Sequence, residues 1–309
     1  MSTIRFGGYQ PERSVHSRGA RVFCSALGQQ LGPGADIQFT ANIAATGRPV
    51  SDLLTLTQSG ELDMCYFASS YLAAKVPELT ILDLPFESGA FESSGRERVW
   101  SLLDGAVGAR IKAAVAARTG YQVLGFWDNG IRHISNGVRP IRSPADCTGL
   151  SIRTLDNSFH QAIFAALGFV PRFIDVKDLG AAVVGRTIDA QENPLTNMIN
   201  FDIHKTHKHV TLLGQFFGVA LLLANRAAAQ RWPVATRTAV EQAAAQATQA
   251  QRRYAAEEDD SCMALLKAAS VAIVPARDID LPAFKAAVAG VVEREAAMLD
   301  PELLALWRA

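Results

Sequence analysis

The chain of 309 residues carries 30 Lys plus Arg and 30 Asp plus Glu, so its formal net charge at pH 7 is zero, and 49% of its residues are hydrophobic. This balance is typical of a globular protein with a sizeable core, and it excludes a disordered or collagen-like chain. Neutrality gives no reason to expect nucleic acid or an anionic membrane as a partner, and no apolar run reaches the ~18 residues of a membrane-spanning helix.

Strand-like and helix-like segments alternate along the first 70 residues. The predicted strands are 4–8, 36–39 and 62–67, and the predicted helices are 15–31 and 51–58. The first helix ends at Gly32-Pro33-Gly34, a strong stop signal. This alternation predicts a mostly parallel sheet covered by helices, with ligands at the carboxyl ends of the strands.

A second alternating block covers residues 121–213. Its predicted strands and helix are 121–127, 133–136, 150–154, 157–167 (helix), 170–174 and 210–213. The first two strands flank a predicted loop at Asp128-Asn129-Gly130, and Phe216 to Ala224 is predicted as a buried strand. From Pro233 to about Ala269 the chain is rich in Ala, Gln, Glu and Arg without Gly, which predicts one or two long helices. A helix of ~35 residues would span ~50 Å and could brace two lobes.

The N-terminus shows no secretory signal. Met1-Ser2-Thr3 leads straight into the first strand, whereas a signal peptide begins with a basic stretch and an apolar one. The protein is therefore expected either to be cytoplasmic or to begin where a signal was cut away, and composition does not distinguish these alternatives. The cysteines, which form no CxxC pair, are Cys24, Cys65, Cys147 and Cys262. We expect four free thiols and no zinc site, with one long-range disulfide left open.

One short segment concentrates histidines. His204, His207 and His209 lie within six residues, but lysines interleave them and oppose a bound cation. We therefore expect a solvated, basic helix end and no metal. The sequence has no GxSxG elbow, no Walker A loop and no GxGxxG after a strand, so no catalytic residue and no cofactor is predicted.

Two arginines lie where a strand meets a loop. Arg132 is at a turn that leads into a strand, and Arg153 ends the strand 150–154. A guanidinium at a carboxyl strand end points into the crevice where ligands bind, and its fork matches a carboxylate with two parallel hydrogen bonds. Either arginine could instead form a structural salt bridge, and spacing alone leaves both interpretations open.

Asn193 lies in the segment Asp189-Ala190-Gln191-Glu192-Asn193-Pro194. Because a proline follows it, its backbone is biased towards an extended conformation. Its amide could donate to a ligand oxygen or could simply occupy a turn.

These segments together resemble the DctP-type substrate-binding proteins of tripartite ATP-independent periplasmic (TRAP) transporters, over nearly the whole chain. In the first half the matching motifs are GELDM (60–64), VPEL (76–79) and LDLPF (82–86). In the second half the matches are closer and comprise PIRSPAD (140–146), GLSIR (149–153), ALG (166–168) and DAQENP (189–194). The order and spacing of these motifs carry the resemblance.

The resemblance implies an α/β, two-lobe periplasmic-binding-protein type II-like fold with a long helix spanning both lobes. Lobe I would comprise 1–126 plus about 214–250, and lobe II 127–213 plus about 251–309. Arg153 would make the principal salt bridge to a ligand carboxylate, with hydrogen bonds added by Asn193 and Arg132. The protein would be periplasmic, with any signal peptide removed or omitted. It would close its lobes on a small organic carboxylate and hand it to TRAP membrane subunits.

Several positions depart from the family pattern, Val176 and Gly180 among them. Val176 falls where family members often carry an aromatic residue against the ligand, and Gly180 falls where a tyrosine is common. The candidate walls of the ligand site, each of which could instead belong to the core, are Trp127, Tyr66, Phe67 and Phe216. Small residues leave room beyond the carboxylate, and two arginines favour an anion. An organic acid with some apolar body, such as a 2-oxo acid or an aromatic acid, is therefore favoured over a compact C4-dicarboxylate.

Two other functions fit a carboxylate site. An enzyme, such as a lyase or hydrolase, would need a base beside Arg153, and only His133 and Glu192 are plausible. A carboxylate-sensing receptor subunit would use the same fold. The favoured interpretation is a binding protein without catalysis. Its partners would be the ligand and the membrane subunits, with no nucleic acid and no direct membrane insertion.

Overall fold

The computed structural model describes residues 3–89 and 95–309, and nine strands and eleven α-helices lie within these ranges. The strands are β1 (Ile4–Gly7), β2 (Ile37–Thr40), β3 (Met64–Ala68), β4 (Tyr121–Asn136), β5 (Ser151–Thr154), β6 (Val170–Phe173), β7 (Ala190–Pro194), β8 (His209–Asn225) and β9 (Ala272–Val274). The helices are α1 (Val15–Leu31), α2 (Asp52–Ser59), α3 (Gly95–Asp104), α4 (Ala106–Arg118), α5 (Ser158–Ala166), α6 (Val176–Val184), α7 (Leu195–Asn200), α8 (Arg226–Arg231), α9 (Val234–Ala268), α10 (Leu281–Ala296) and α11 (Pro301–Arg308).

The chain divides into two α/β units, each assembled from three segments. Unit 1 comprises Met1–Ser69, Ala109–Asn129 and Val219–Glu258, and unit 2 comprises Ser70–Gly108, Gly130–Gly218 and Asp259–Ala309. Strands β4 and β8 and helix α9 each contribute residues to both units. The predicted α/β organisation with one long helix is therefore present.

The division differs from the predicted lobe boundaries at residues 70–108, which sequence analysis placed in lobe I. The structure groups this segment with unit 2, because its residues form hydrogen bonds and ion pairs with other residues of unit 2. The Asn157 amide donates to the Ser70 carbonyl at 3.0 Å, and Arg96 pairs with Asp259 at 2.7 Å. These partners lie 87 and 163 residues further along the chain, a separation that local patterns do not reveal.

Unit 1 is built on the strand order β2-β1-β3-β8-β4. Strand β1 runs parallel to β2 and β3, and β3 runs antiparallel to β8. An aromatic core lies against this sheet. Tyr66 and Trp127 pack at 5.5 Å between ring centroids, and Phe6 packs on Phe23 at 5.5 Å, all four side chains being at most 1% exposed. Burial of such large rings is a major source of folding free energy.

Unit 2 contains the strand order β4-β7-β5-β6, and β9 pairs with β8. Strand β5 is parallel to both β6 and β7, whereas β4 and β7 are antiparallel. Its core includes Leu179, Met198, Val210 and Leu266, and Val176 packs against this cluster. The parallel β7-β5-β6 group therefore presents its carboxyl strand ends at one edge of unit 2.

Strand β4 is continuous, and the predicted loop at Asp128-Asn129-Gly130 was wrong. The Asp128 backbone N–H donates to the Gln251 side-chain oxygen at 2.7 Å, and the Asp128 carbonyl accepts from the Gln251 amide at 2.7 Å. The Gln251 side chain thus supplies hydrogen bonds to both backbone polar groups of Asp128, so the backbone can remain extended at this point. The predicted strands at 210–213 and 216–224 likewise merge into the single strand β8.

Helix α9 is one helix of 35 residues, in agreement with the long helical segment predicted at Pro233–Ala269. Its composition of Ala, Gln, Glu and Arg is that of a helix with a hydrated face. Over residues 3–89 and 95–309, no helix combines the length and apolar character needed to cross a bilayer.

Candidate ligand-binding site

Arg153 lies at the carboxyl end of β5, where sequence analysis placed it, and only 1% of it is exposed. Its Nε donates to the carbonyl of Ile174, just after the parallel strand β6, at 2.8 Å. Its Nη2 is buried and has no hydrogen-bond partner among the described residues. A buried guanidinium nitrogen without a partner is costly, and a bound carboxylate would satisfy it.

Tyr71 lies against Arg153 and was not singled out from the sequence. Burial raises the pKa of the Tyr71 phenol, and the Arg153 guanidinium opposes that rise through its charge and a hydrogen bond. Arg132 also lowers this pKa, and Asp175 raises it. The structure therefore brings both predicted arginines within electrostatic reach of one phenol that is neutral at physiological pH.

Arg132 is already paired inside unit 2. Its Nε donates to Glu192 Oε2 at 2.5 Å and its Nη2 to Glu192 Oε1 at 2.7 Å, in a bidentate ion pair whose side chains are 7% and 0% exposed. A buried carboxylate therefore neutralises Arg132, so only one of the two predicted arginines is without a carboxylate partner among the described residues. From the sequence, Glu192 is a candidate only for the base of an enzyme.

Asn193 lies near the end of β7 and is 3% exposed. Its Oδ1 accepts from Arg132 Nη2 at 3.3 Å and from Asn197 Nδ2 at 3.2 Å, and its Nδ2 donates to Gln191 Oε1 at 2.5 Å. The Arg132 contact fixes which end of the amide is oxygen, because a guanidinium only donates. The remaining Nδ2 hydrogen is the one that we assign to a ligand, and this assignment stays a prediction.

Further buried polar atoms of unit 2 are without a hydrogen-bond partner among the described residues. They include Thr154 Oγ1, next to Arg153, and both side-chain amide atoms of Gln215 on β8. Native structures leave few buried polar groups unsatisfied, so these atoms are additional candidates for ligand or water contacts. The only sequence signal for Gln215 was a polar residue inside an apolar strand.

The predicted aromatic walls are all packed in the interior. In unit 1, the Trp127 indole N–H donates to Thr248 Oγ1 at 3.1 Å, and the Tyr66 hydroxyl accepts from the Gln10 backbone N–H at 3.2 Å. Phe67 packs against Tyr9 at 5.2 Å. In unit 2, Phe216 stacks on the ring of His160, at 4.5 Å between centroids and 9° between planes. Their contact with a ligand stays a prediction.

The two bases considered for an enzyme are both engaged. Glu192 is held by Arg132, and His133 Nδ1 accepts from the Gly214 backbone N–H at 3.1 Å. Burial, assisted by the Arg96 charge, lowers the pKa of His133 to about 3. Neither group is poised to take a proton from a ligand beside Arg153.

The sequence predicts a solvated helix end for the histidine-rich segment. In the structure, part of this segment is buried. His207 is 2% exposed, and its Nδ1 lies 3.0 Å from Ser135 Oγ. His204 Nδ1 lies 3.1 Å from the Met198 carbonyl. Among the described residues, no group of three or more His, Cys, Asp or Glu side chains could hold a metal ion. All four cysteines are free, and burial raises the pKa of the Cys65 thiol to about 12.

The comparison with protein families matches residues 6–298 of the chain to the bacterial extracellular solute-binding proteins, family 7, named DctP. The chain belongs to this family. A solute-binding protein from Verminephrobacter eiseniae is 32% identical over 291 residues, covering 94% of this chain and 84% of the relative. The named ligands of similar proteins include sugar acids and C4-dicarboxylates.

Solved structures of TRAP periplasmic solute-binding proteins share the fold of this DctP-family chain. One from Bordetella bronchispeptica, with density assigned to pantoate, is 26% identical with a TM-score of 0.90 and covers 100% of this chain and 99% of its own. One from Polaromonas, bound to D-erythronate, is 26% identical with a TM-score of 0.91 and the same coverage. The resemblance to TRAP solute-binding proteins and the two-lobe periplasmic-binding fold are thereby confirmed.

Proposed function

We propose that this DctP-family protein captures a small organic monocarboxylate, without chemical turnover, through the guanidinium of Arg153. The observation that carries the proposal is the buried Arg153 Nη2, which has no hydrogen-bond partner in the described chain. A carboxylate bound there would make charge-assisted hydrogen bonds, each contributing roughly 1.5–3 kcal/mol net. Asn193 and Arg132 would add hydrogen bonds to the same anion.

The charges of unit 2 favour a monoanion. The carboxylate of Glu192 compensates Arg132, so Arg153 is the arginine that a ligand has to neutralise. Asp175 is half-buried, and its side chain caps α6 by accepting from the Lys177 N–H at 2.9 Å. A second carboxylate on the ligand would have to be buried beside Glu192 without a cation of its own, at considerable cost. D-erythronate and pantoate, carried by two similar proteins, are monocarboxylates.

The experiment is calorimetry on the wild-type protein and on Arg153→Ala, with D-erythronate and pantoate as probes. We expect Arg153→Ala to abolish tight binding while the melting temperature shows an intact fold. Arg172→Ala is the matched control, because Arg172 lies opposite Arg153 in the β5–β6 register and is exposed. Affinity retained within about threefold, ~0.65 kcal/mol, would refute the role of Arg153.

A thermal-shift screen separates the ligand classes. We expect monocarboxylates with a hydroxylated or apolar body to raise the melting temperature more than succinate or malate does. Neutral sugars and amines serve as negative controls, because neither would compensate Arg153. A shift with neutral sugars alone would contradict a carboxylate ligand, whereas a shift with succinate alone would contradict only the preference for a monoanion.

We further propose that the protein acts in the periplasm, closes its lobes on the ligand and delivers it to TRAP membrane subunits. The family and the TRAP proteins of the same fold support this role. Small-angle scattering should show a smaller radius of gyration with ligand than without it. An unchanged radius at confirmed occupancy would argue against closure. Carboxylate sensing uses the same fold, and genes for membrane subunits beside this gene would distinguish transport from sensing.

A further inference from the structure

We propose that Gln191, Ser135 and His207 form a positioning relay that holds the Asn193 amide with one N–H directed to the ligand. The relay rests on the proposed ligand role of Asn193. All of its members belong to unit 2 and are at most 3% exposed. His207, which the ligand site does not otherwise use, becomes the residue on which the relay ends.

The strand register places the relay residues side by side. Ser135 on β4 is directly opposite Gln191 on β7, and Asn193 follows Gln191 by two residues, so all three side chains share one face of the antiparallel pair. The contacts are short and consecutive. Asn193 Nδ2 donates to Gln191 Oε1 at 2.5 Å, Gln191 Nε2 donates to Ser135 Oγ at 2.5 Å, and Ser135 Oγ lies 3.0 Å from His207 Nδ1.

The direction of the Asn193–Gln191 and Gln191–Ser135 hydrogen bonds follows from Arg132. Since its guanidinium can only donate, the atom of Asn193 that faces it is Oδ1, and Nδ2 therefore faces Gln191. Gln191 then presents Oε1 to Asn193 and its Nε2 to Ser135. The Ser135 oxygen accepts that bond, so its own hydrogen is available for His207 Nδ1, which accepts when it carries no proton.

His207 is suited to end the relay because it is held neutral. Burial lowers its pKa to about 4, against weaker opposing effects from a hydrogen bond to the Ser135 backbone and from the Asp189 charge. At neutral pH the imidazole therefore has one nitrogen with hydrogen and one without. The relay requires Nδ1 to be the unprotonated nitrogen. An amide flip at Asn193 would then break the bonds to Arg132, Asn197 and Gln191 together.

A first test needs no ligand. Nitrogen-15 NMR should show that Nδ1 of His207 is unprotonated and Nε2 is protonated at pH 7. The His207 signals are assigned by their loss in His207→Asn. A protonated Nδ1 would overturn the polarity of the relay. This result is independent of whether the protein binds the acids used as probes.

A second test asks whether the relay acts through Asn193. With D-erythronate and pantoate, His207→Leu should weaken binding about tenfold, and His207→Asn should restore it, because the Asn oxygen can replace Nδ1 as the acceptor. In an Asn193→Ala background, His207→Leu should have no further effect. His204→Leu is the control, since His204 bonds the Met198 carbonyl outside the relay.

The outcomes separate the two proposals. If Asn193→Ala leaves affinity unchanged, the ligand role of Asn193 fails. If Asn193→Ala weakens binding but His207→Leu does not, the relay fails and the ligand role stands. An equal loss for His207→Leu in the wild-type and Asn193→Ala backgrounds would show that His207 acts on the fold and not on Asn193.

Discussion

Arg153 and Arg132 are chemically identical residues in different electrostatic states. Arg132 has a carboxylate partner in Glu192, whereas among the described residues Arg153 bonds the neutral Ile174 carbonyl and the Tyr71 phenol. Desolvation makes an unpaired charge far more costly than a paired one. We therefore expect the charge of Arg132 to be neutralised within the protein and the charge of Arg153 to be neutralised by the ligand.

Glu192→Gln should remove this difference, because it leaves both arginines without a carboxylate partner among the described residues. It removes the partner of a buried guanidinium, so we expect the free energy of unfolding to fall by about 3–5 kcal/mol. We also expect the affinity for succinate to rise relative to that for D-erythronate, because a second uncompensated arginine then faces the anion. Urea denaturation and calorimetry measure the two effects. Glu293→Gln, at an exposed glutamate, is the control, and an unchanged ratio of affinities would contradict the charge argument.

Arg153→Lys should bind about as weakly as Arg153→Ala. An ammonium group keeps the charge but has no planar fork, so it cannot donate two parallel bonds to one carboxylate while also bonding the Ile174 carbonyl. Calorimetry with D-erythronate and pantoate is the measurement. Near wild-type affinity for the lysine variant would mean that charge alone, without geometry, anchors the ligand.

At the scale of elements, β4 continues where its sequence indicates a turn. Gly130 has φ +80°, and a Cβ built there would lie 2.5 Å from the Pro194 Cβ on β7. The glycine is thus required twice, once for its backbone conformation and once for the close approach of β7. In the β4–β7 register that follows, His133 lies opposite Asn193 and Ser135 opposite Gln191.

Gly130→Ala and Gly149→Ala form a matched pair that separates these requirements. Both glycines have φ near +80°, but a Cβ at Gly149 would have no atom within 4 Å. We expect Gly149→Ala to cost about 1–2 kcal/mol for backbone strain. Gly130→Ala should cost a further ~1–3 kcal/mol for the collision with Pro194. Urea unfolding gives both values, and equal losses would show that the close contact is relieved without cost.

At the scale of the whole molecule, three buried histidines link stability to pH. Burial lowers the pKa of His16 and of His207 to about 4, and that of His133 to about 3. Each is therefore neutral in the folded chain at pH values where an unfolded histidine, with a pKa of about 6.5, is protonated. Because the unfolded state binds more protons, the contribution of these histidines to the free energy of unfolding is fully present above pH ~6.5. It is lost as the pH falls towards 4.

Between pH 7 and pH 5 we expect each of these histidines to lower the free energy of unfolding by about 2 kcal/mol. Most carboxylates stay ionised in this window, so the histidines dominate the change. Urea denaturation at pH 7, 6 and 5 measures it. His207→Asn should show a smaller loss than the wild-type protein, and a wild-type stability that is flat over this range would contradict the neutral state of these histidines.

Local patterns in the sequence were sufficient for much of this protein. Helix α1, helix α9 and the strands around Arg153 follow from apolar periodicity and from glycine or proline stops, which act within a few residues. Motif order identified the family, since it depends only on the chain itself. Arg153 could be placed at a strand end for the same reason, because a strand end is a local feature.

Tertiary structure alone decided which polar groups are already satisfied. Arg132 is compensated by Glu192, 60 residues away, and His207 is buried against Ser135, 72 residues away. The continuity of β4 depends on Gln251, 123 residues beyond Asp128. The sequence by itself determined the family and elements such as α1, α9 and β5, because those depend on short-range order. Whether a charge, an imidazole or a backbone amide has a partner depends on which distant segments meet, and that is set only when the chain packs.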